Sequence, residues 1–247
     1  HFTTALGHEE ALKKIPVGDY NALLEKGTVP DSYRPTLFDF LAFDAMSFYT
    51  SPEQAGAKAE DLFEIAADSP VFASSDQFMK WQPQTTDTTS RTLQAVKLYQ
   101  KLLAIHRDDK ERSAFLDTDL HRLQFGYNAA VGEGKAAKYK DALKAYADAN
   151  GDHALSSMAR YYNAVVLNTE GDKVAAHKLA TQGRDAHRKS FGGDLCANLI
   201  AEIEAPQSQL ITERVWAAPL PDIRVTYRNL SKVYFRLVKT DYVERLK

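Results

Sequence analysis

The spacing of apolar residues changes near Pro206 and divides the chain into two unlike parts. Residues 1–206 consist of long segments with helical spacing, separated by short polar turns. In residues 207–247 apolar and polar side chains alternate instead, so that Val233 and Phe235 share one face, which is the period of a half-buried strand. The sequence therefore predicts a mainly α fold, with a helical-repeat domain followed by a short β segment.

The helical part divides into pairs of helices joined by short turns, which predicts an array of paired antiparallel helices. Gly151, Gly171 and the pair Gly192-Gly193 supply positions where a helix can end. Residues 70–89 contain two prolines and many Ser and Thr, and predict a long loop. The predicted helices are Thr36–Thr50, Pro52–Ala67, Ser90–Arg107, Lys110–Val131, Lys135–Asn150, Ala154–Asn168, Asp172–Lys189 and Asp194–Glu204.

A faint internal repeat surrounds Gly171. Tyr161 and Val165 belong to a large apolar face before this turn, and the small residues Ala176 and Ala180 follow it on the next helix. This order is similar to a tetratricopeptide (TPR) unit of ~34 residues. The Trp and the terminal Pro of that repeat are missing, so we describe the array as degenerate and TPR-like.

The β segment predicts three strands, Leu210–Trp216, Ile223–Tyr227 and Lys232–Val238, separated by Pro and Asn turn signals. Three strands make a small sheet, whereas a β-sandwich needs about seven. We therefore expect residues 207–247 to be the incomplete start of a second domain.

Composition limits the partners and the location of the protein. Its 31 basic and 33 acidic residues give a net charge of −2, which argues against nucleic acid as a partner because no excess of cations neutralises phosphates. No apolar run approaches the ~18 residues that span a bilayer. The chain begins with His1 rather than Met, which is compatible with a removed signal or lipoprotein leader and equally with an engineered start.

Residues that commonly carry catalysis or bind metals are not grouped in a motif. The seven His form no His-x-x-x-His pair and none stands beside a Cys at zinc-like spacing. Asp117 and Asp119 point about 200° apart on a helix, so we expect a solvated face rather than a catalytic pair. Ser/His/Asp groupings and Gly-rich phosphate loops are absent. The sequence predicts no catalytic residue, cofactor or metal site, and a protein that is not an enzyme.

Aromatic residues are the candidates for a protein-binding surface. Phe72, Phe78 and Trp81 lie in the predicted loop, and long loops in compact domains are often functional. The competing interpretation, that they pack into the helical array, is favoured because an exposed cluster this apolar promotes aggregation. Tyr161 and Tyr162 are equally suited to line a peptide groove and to pack between helices.

Two segments resemble proteins of the bacterial alpha-2-macroglobulin family. Tyr33-Arg-Pro-Thr-Leu-Phe-Asp-Phe-Leu-Ala, within residues 33–50, resembles the helical N-terminal region of such proteins from Bacteroidetes-type bacteria. Val215-Trp-Ala-Ala-Pro-Leu-Pro and the run from Val225 to Lys239 resemble the opening of the first macroglobulin-like domain. The resemblance is strongest over residues 33–50 and 210–239.

The resemblance implies a large periplasmic or cell-surface protein that traps proteinases, with a lipid anchor as one route of attachment through a missing N-terminal segment. Many members carry a thioester built from a Cys-x-Glu-Gln motif. Here the residues are Cys196-Ala-Asn-Leu, so this motif is absent, and we expect Cys196 to be a small buried hydrophobe beside Leu199 and Ile203.

Two functions follow from these observations. By the resemblance, the chain is a non-catalytic N-terminal fragment of a proteinase-trapping inhibitor, acting as a spacer or a protein-docking region, and the full-length parent meets the proteinases. The alternative is a free-standing TPR-like scaffold that binds a protein or peptide partner in its groove.

Overall fold

A computed structural model describes residues 1–25, 27–51, 62–212 and 222–236. The structure is 60% helix, which confirms the mainly α prediction. The helices are α1 Phe2–Leu6, α2 Glu9–Leu12, α3 Leu37–Thr50, α4 Ser75–Lys80, α5 Arg91–His106, α6 Ser113–Ala129, α7 Lys135–Ala149, α8 Leu155–Thr169, α9 Lys173–Ala186 and α10 Phe191–Glu204. The strands are β1 Ile65–Ala66, β2 Ala130–Val131, β3 Gln207–Ile211 and β4 Arg224–Arg228.

Polar side chains at the N-caps set where several helices begin. Thr36 Oγ1 accepts a hydrogen bond from the backbone N–H of Asp39, and the Asp39 carboxylate accepts one in return from the Thr36 N–H, so α3 begins with a capping box. Ser90 caps α5, Asp172 caps α9 and Ser190 caps α10 in the simpler one-bond manner.

Three groups of buried residues form the core, and they follow the order of the chain. The first joins α3 and α5 to the segment 63–78, the second joins α6, α7 and α8, and the third joins α8, α9 and α10. Each helix from α5 to α10 contacts the next along the chain. In the third group, Ala164, Ala176 and Ala180 are fully buried, so small side chains let α8 and α9 approach closely.

The predicted helix Pro52–Ala67 is wrong at its C-terminal end. Residues 62–64 are not helical, and Ile65–Ala66 form β1, which pairs in parallel with β2. Ile65 is fully buried, and the Ala67 N–H donates to the Val131 carbonyl at 2.8 Å. Burial and backbone pairing with the end of α6 therefore override the helical pattern. Residues 52–61 lie outside the described ranges.

The predicted loop 70–89 contains two ordered elements that the sequence pattern did not reveal. Residues Pro70–Phe72 form a turn of 3-10 helix, and Ser75–Lys80 form α4, which Ser74 caps through its hydroxyl. A six-residue helix is too short to show a helical period, and the neighbouring Pro and Ser residues favour a loop.

The prediction that glycines end helices is confirmed at Gly171 and is wrong at Gly192 and Gly193. Gly171 has φ 93° and follows α8, as a helix-ending Gly should. Gly192 and Gly193 do not end a helix, because they lie in the first turn of α10. A Cβ on Gly192 would lie 2.5 Å from the Met158 backbone nitrogen, so this Gly permits α10 to approach α8. Helix α9 ends at Ala186, before the predicted Lys189.

The β segment contains two described strands. Strands β3 and β4 pair antiparallel, with Gln207 opposite Arg228 and Ile211 opposite Arg224. The predicted strand Ile223–Tyr227 agrees closely with β4, whereas the strand predicted at Leu210–Trp216 begins three residues earlier, and residues 213–216 lie outside the described ranges.

The third predicted strand, Lys232–Val238, is wrong over its described part. Residues 232–236 have no strand structure, while residues 237 and 238 lie outside the described ranges. Tyr234 and Phe235 are exposed, and alternation alone makes no strand without a partner to accept its hydrogen bonds. The division into a helical domain 1–206 and a β domain 207–247 stays a prediction.

Candidate functional site

A groove of about 570 Å³ lies between the segment before α3, helix α6, helix α8 and the start of α10. This size falls within the range of about 300–1,000 Å³ that is usual for ligand sites. Its lining combines apolar walls with a polar floor. The described lining residues are Thr28, Val29, Pro30, Tyr33, Arg34, Asp117, Leu120, His121, Gln124, Ala154, Leu155, Met158, Tyr162, Lys189, Ser190, Phe191 and Gly192.

Backbone contacts hold two of the walls in place. The segment before α3 is bound on both sides of Thr36, since Val17 N–H donates to the Pro35 carbonyl and Leu37 N–H donates to the Ile15 carbonyl, each at 2.9 Å. The start of α10 rests against α8 because Gly192 has no side chain to separate them. Both walls therefore depend on contacts between segments that are distant in the chain.

Asp117 and His121 form the polar floor. They are one helical turn apart on α6, and Asp117 Oδ1 lies 3.6 Å from His121 Nε2. Only 5% of Asp117 is exposed, and within the described part of the chain its Oδ2 has no hydrogen-bond partner. Burial raises the pKa of the Asp117 carboxyl, and the charges of His121 and Arg34 only partly oppose this shift. Burial lowers the pKa of His121, so both groups are biased towards their neutral forms.

The structure corrects the expectation that Asp117 and Asp119 lie on a solvated face. Both are buried, Asp117 among residues of the segment before α3 and of α8, and Asp119 against Arg122. Asp119 is paired with Arg122, whose Nε and Nη2 donate to Asp119 Oδ1 at 3.1 and 2.6 Å. The two carboxylates point to different neighbours, Asp117 to His121 and Asp119 to Arg122.

The ring of Phe43, on α3, contacts the side chains of both Arg34 and His121 in the groove. The Arg34 guanidinium lies 3.9 Å above the centre of the Phe43 ring, and the His121 ring meets the same Phe43 edge-on at 5.4 Å. Arg34 is half-buried, and its Nε has no hydrogen-bond partner among the described residues. Arg34 Nε and Asp117 Oδ2 are thus a donor and an acceptor that are buried beside the groove and have no partner in the described part of the chain.

A second cavity of about 340 Å³ adjoins the groove and shares His121 and Gln124 with it. It continues along α6 towards Asn128, between the end of α3 and the start of α5. The described lining residues are Tyr49, Thr50, Ser51, Thr92, Tyr99, His121, Gln124, Phe125, Asn128 and Ala129.

The aromatic residues predicted as a loop surface are packed inward. Phe78 is fully buried, and Phe72 and Trp81 pack against the core. Gln100 from α5 donates to the carbonyls of Phe78 and Trp81 at 2.8 and 2.7 Å, which ties α4 to α5. These three residues therefore follow the favoured interpretation, and they form no exposed patch.

The two tyrosines have different positions. Tyr162 lines the groove and packs against the second core group, whereas Tyr161 packs against the third. Their rings lie 5.6 Å apart. Among the five predicted site residues, Tyr162 is the one that the groove includes.

Arg122 is a buried charge whose role the sequence reasoning missed. Its Nη1 donates to the carbonyls of Val71 and Ala73, both at 2.8 Å, and its guanidinium lies over the Phe78 ring. Arg122 thus holds the segment before α4 against α6. The spacing Asp119-x-x-Arg122 on one helix was a signal for this ion pair, as Asp117-x-x-x-His121 was for the floor of the groove.

Cys196 is fully buried in the third core group beside Leu199 and Ile203, which confirms the expectation. Burial raises the pKa of its thiol to about 11, and its sulfur lies 3.6 Å from the Ser157 carbonyl. A thiol in this environment is protonated at neutral pH and is a poor nucleophile.

Comparisons with protein-family models, with curated proteins and with solved structures find no match to this chain. In the described ranges, no three His, Cys, Asp or Glu side chains are grouped so that they could hold a metal ion. No helix in those ranges combines the length and the apolar character needed to cross a bilayer.

Proposed function

We propose that this chain is a non-catalytic docking region and that the groove over α6, α8 and α10 receives a segment of a partner protein. In its larger context the region belongs to a proteinase-trapping protein of the alpha-2-macroglobulin type, located in the periplasm or at the cell surface. Proteinases are partners of the whole trap, and the docking groove binds a separate protein.

The observation that carries the docking function is the composition of the groove. Leu155, Met158 and Tyr162 supply an apolar wall, and Asp117 and His121 supply polar groups at the floor. Phe191 stands at the rim with 66% of its surface exposed. Large apolar side chains exposed beside a concave surface are typical of protein-binding sites.

The larger context is supported by the resemblance alone. Tyr33 and Arg34 open the segment that resembles the helical region of the trapping proteins, and both line the groove. The groove therefore uses residues from the part of the chain where the resemblance is strongest. The incomplete macroglobulin-like domain and the degenerate TPR-like array belong to the same proposal.

A free-standing helical scaffold is the second candidate. Close packing of α8 on α9 through Ala164, Ala176 and Ala180 favours it, since this is how small residues join helices within a repeat. This scaffold would use the same groove, and it differs from the first candidate in having no trap attached.

Selection from a displayed library of random linear peptides tests the docking function. The chain is immobilised, and enriched peptides are then measured against two variants. Phe191→Glu places a charge at the apolar rim, and a carboxylate in the first turn of α10 is compatible with the helix dipole. Val174→Glu is the matched control, because Val174 is an 83% exposed apolar residue in the first turn of α9, outside the groove.

We expect the enriched peptides to bind the natural chain and Val174→Glu equally, and to bind Phe191→Glu at least about tenfold more weakly. Equal binding to all three proteins, or no enrichment of any peptide, would contradict docking in this groove.

A further inference from the structure

We propose that the groove and its neighbouring cavity bind one extended peptide segment of about five residues, with its backbone held by Gln124 and Asn128 and an uncharged apolar side chain at the Asp117 end. This inference rests on the proposed docking function and specifies the ligand of the same site.

A polar stripe on α6 connects the two cavities. Asp117, His121, Gln124 and Asn128 follow one another at intervals of four, three and four residues, which places them on one face of the helix. The first three line the larger groove, and the last three line the smaller cavity. A ligand that contacts the whole stripe therefore passes from one cavity into the other along α6.

The length of the stripe matches a short extended chain. Asp117 and Asn128 are eleven residues apart, which is about 16 Å along a helix at 1.5 Å per residue. An extended peptide rises about 3.3 Å per residue, so about five residues span this distance. The combined volume, about 570 Å³ and about 340 Å³, accommodates side chains at both ends.

Gln124 and Asn128, in the middle and at the far end of the stripe, offer both hydrogen-bond donors and acceptors. Each of Gln124 and Asn128 carries an amide with donors and an acceptor. Every residue of an extended, unpaired peptide likewise presents an N–H and a C=O, whereas those of a helix are already paired. A carboxamide can therefore hold a peptide backbone without selecting its side chains, which suits an extended segment rather than a docked helix.

The Asp117 end favours an uncharged residue. The charged and titratable groups in this part of the lining are Asp117, His121, Arg34, Tyr33 and Tyr162, together with Lys189. Asp117 and His121 are biased by burial towards their neutral forms, and Leu155 and Met158 form the wall above them. An apolar side chain fits this wall.

Amide deletions on α6, each with a matched control, test the inference. The peptides enriched by the natural chain are measured against Gln124→Ala, Asn128→Ala and the double variant. Gln182→Ala on α9 and Asn198→Ala on α10 are the controls, since they remove the same amides from exposed helical positions outside the two cavities.

We expect each groove variant to weaken binding about fivefold, and the double variant more than about tenfold, which is the usual effect of losing one or two hydrogen bonds. The controls should bind as the natural chain does. When each position of an enriched peptide is replaced by Asp in turn, binding should weaken most at the apolar residue that lies at the Asp117 end.

The outcomes separate this inference from the proposed function. If Phe191→Glu abolishes binding while the double amide variant does not, the groove docks a partner but α6 does not hold its backbone, and the inference is overturned. If binding requires a helical peptide, shown by loss on Pro substitution with gain on helix-stabilising substitution, the inference is overturned as well. If Phe191→Glu has no effect, both fail together.

Discussion

Nε2 of His106 lies 2.8 Å from Oδ1 of Asp39, although 67 residues separate them in the chain. The other ring nitrogen, Nδ1, lies 2.7 Å from Oδ2 of Asp109. Both His106 and Asp39 are buried, and Asp39 also accepts the backbone N–H of Thr36 at the start of α3. His106 therefore links the start of α3 to the end of α5.

This link makes stability depend on pH. Burial alone would lower the pKa of His106, but its hydrogen bonds and charge interactions with Asp39 and Asp109 outweigh burial and raise the pKa above its ordinary value. A raised pKa means that the folded state binds the proton more tightly. The resulting stabilisation is fully present below the ordinary His pKa and is lost as pH rises through the raised pKa of the folded state.

We expect His106→Gln to lower the free energy of unfolding by about 1.5–3 kcal/mol at pH 6, since a hydrogen bond to a charged group is lost. The difference should shrink as pH rises. His177→Gln is the control, because His177 makes a 2.7 Å contact with Glu204 at an exposed site and should matter by less than about 1 kcal/mol. Urea denaturation from pH 6 to pH 9 measures both; a constant difference for His106→Gln would be inconsistent with the titration.

We expect Asp117 to lower the free energy of unfolding at neutral pH. Its pKa is raised by burial, so its contribution is favourable at low pH and is lost as pH rises through the folded-state pKa. We expect Asp117→Asn to raise the free energy of unfolding by about 1 kcal/mol at pH 7, because the buried charge is removed. The gain should vanish near pH 3, and denaturant unfolding at the two pH values checks it. A loss of stability at pH 7 would show that the carboxylate is well paired.

Asp119, two residues further along α6, is expected to behave in the opposite way. Its carboxylate is paired with the buried Arg122, and removing one partner leaves the other charge uncompensated. We expect Asp119→Asn to lower the free energy of unfolding by about 3 kcal/mol, measured by the same denaturation. Because both Asp→Asn changes have the same chemistry on the same helix, each serves as the control for the other.

The long helices could be predicted from sequence because their signals are local. Helices α3, α5, α7 and α8 begin and end within about two residues of the prediction, since each carries its own apolar period and end signals. The segments that failed depend on distant neighbours. Ile65–Ala66 is a strand because α6 ends beside it, and Gly192 is required because α8 lies beneath it.

The groove shows the same division between local and distant information. Tyr162 could be selected because an aromatic residue within a predicted helix is a local feature. Arg34, Asp117 and Phe191 come from three separate elements, and only tertiary packing brings them into one lining. The i, i+4 spacing of Asp117 and His121 predicts a shared face, but it does not reveal that this face lines a groove.

The two-stranded sheet should contribute little to the stability of the helices. Its described contacts with α10 include hydrogen bonds from Asn229 Nδ2 to the carbonyls of Ile203 and Ala205, at 2.7 and 3.2 Å. One bond is partly buried and the other is exposed, and a bond of this kind contributes on the order of 1 kcal/mol. We expect a chain ending at Pro206 to melt less than about 10 °C below the full chain. A larger fall in Tm would show that the sheet is integral to the helical core.

The variant Asn229→Gly distinguishes the contribution of these side-chain hydrogen bonds from that of the turn backbone. Asn229 has φ 57°, which Gly adopts at little cost, so the variant removes the side-chain hydrogen bonds and retains the turn. We expect a change in Tm smaller than that caused by the truncation, and thermal melting of the two proteins in one buffer makes the comparison.

The chain alone should neither inhibit a trypsin-like proteinase nor gain mass on treatment with methylamine. Covalent trapping needs an activated acyl group, and Cys196 is followed by Ala-Asn-Leu rather than by the residues of a thioester, while burial raises its thiol pKa to about 11. If the chain belongs to the proposed trap, the whole protein that contains it should slow the digestion of large protein substrates and spare small peptide substrates, because a trapped proteinase keeps an open active site. Digestion of a large protein and of a small chromogenic peptide, each with and without the whole protein, measures this selectivity. If large-substrate digestion is unchanged, the trap is contradicted and the free-standing peptide-binding scaffold takes its place.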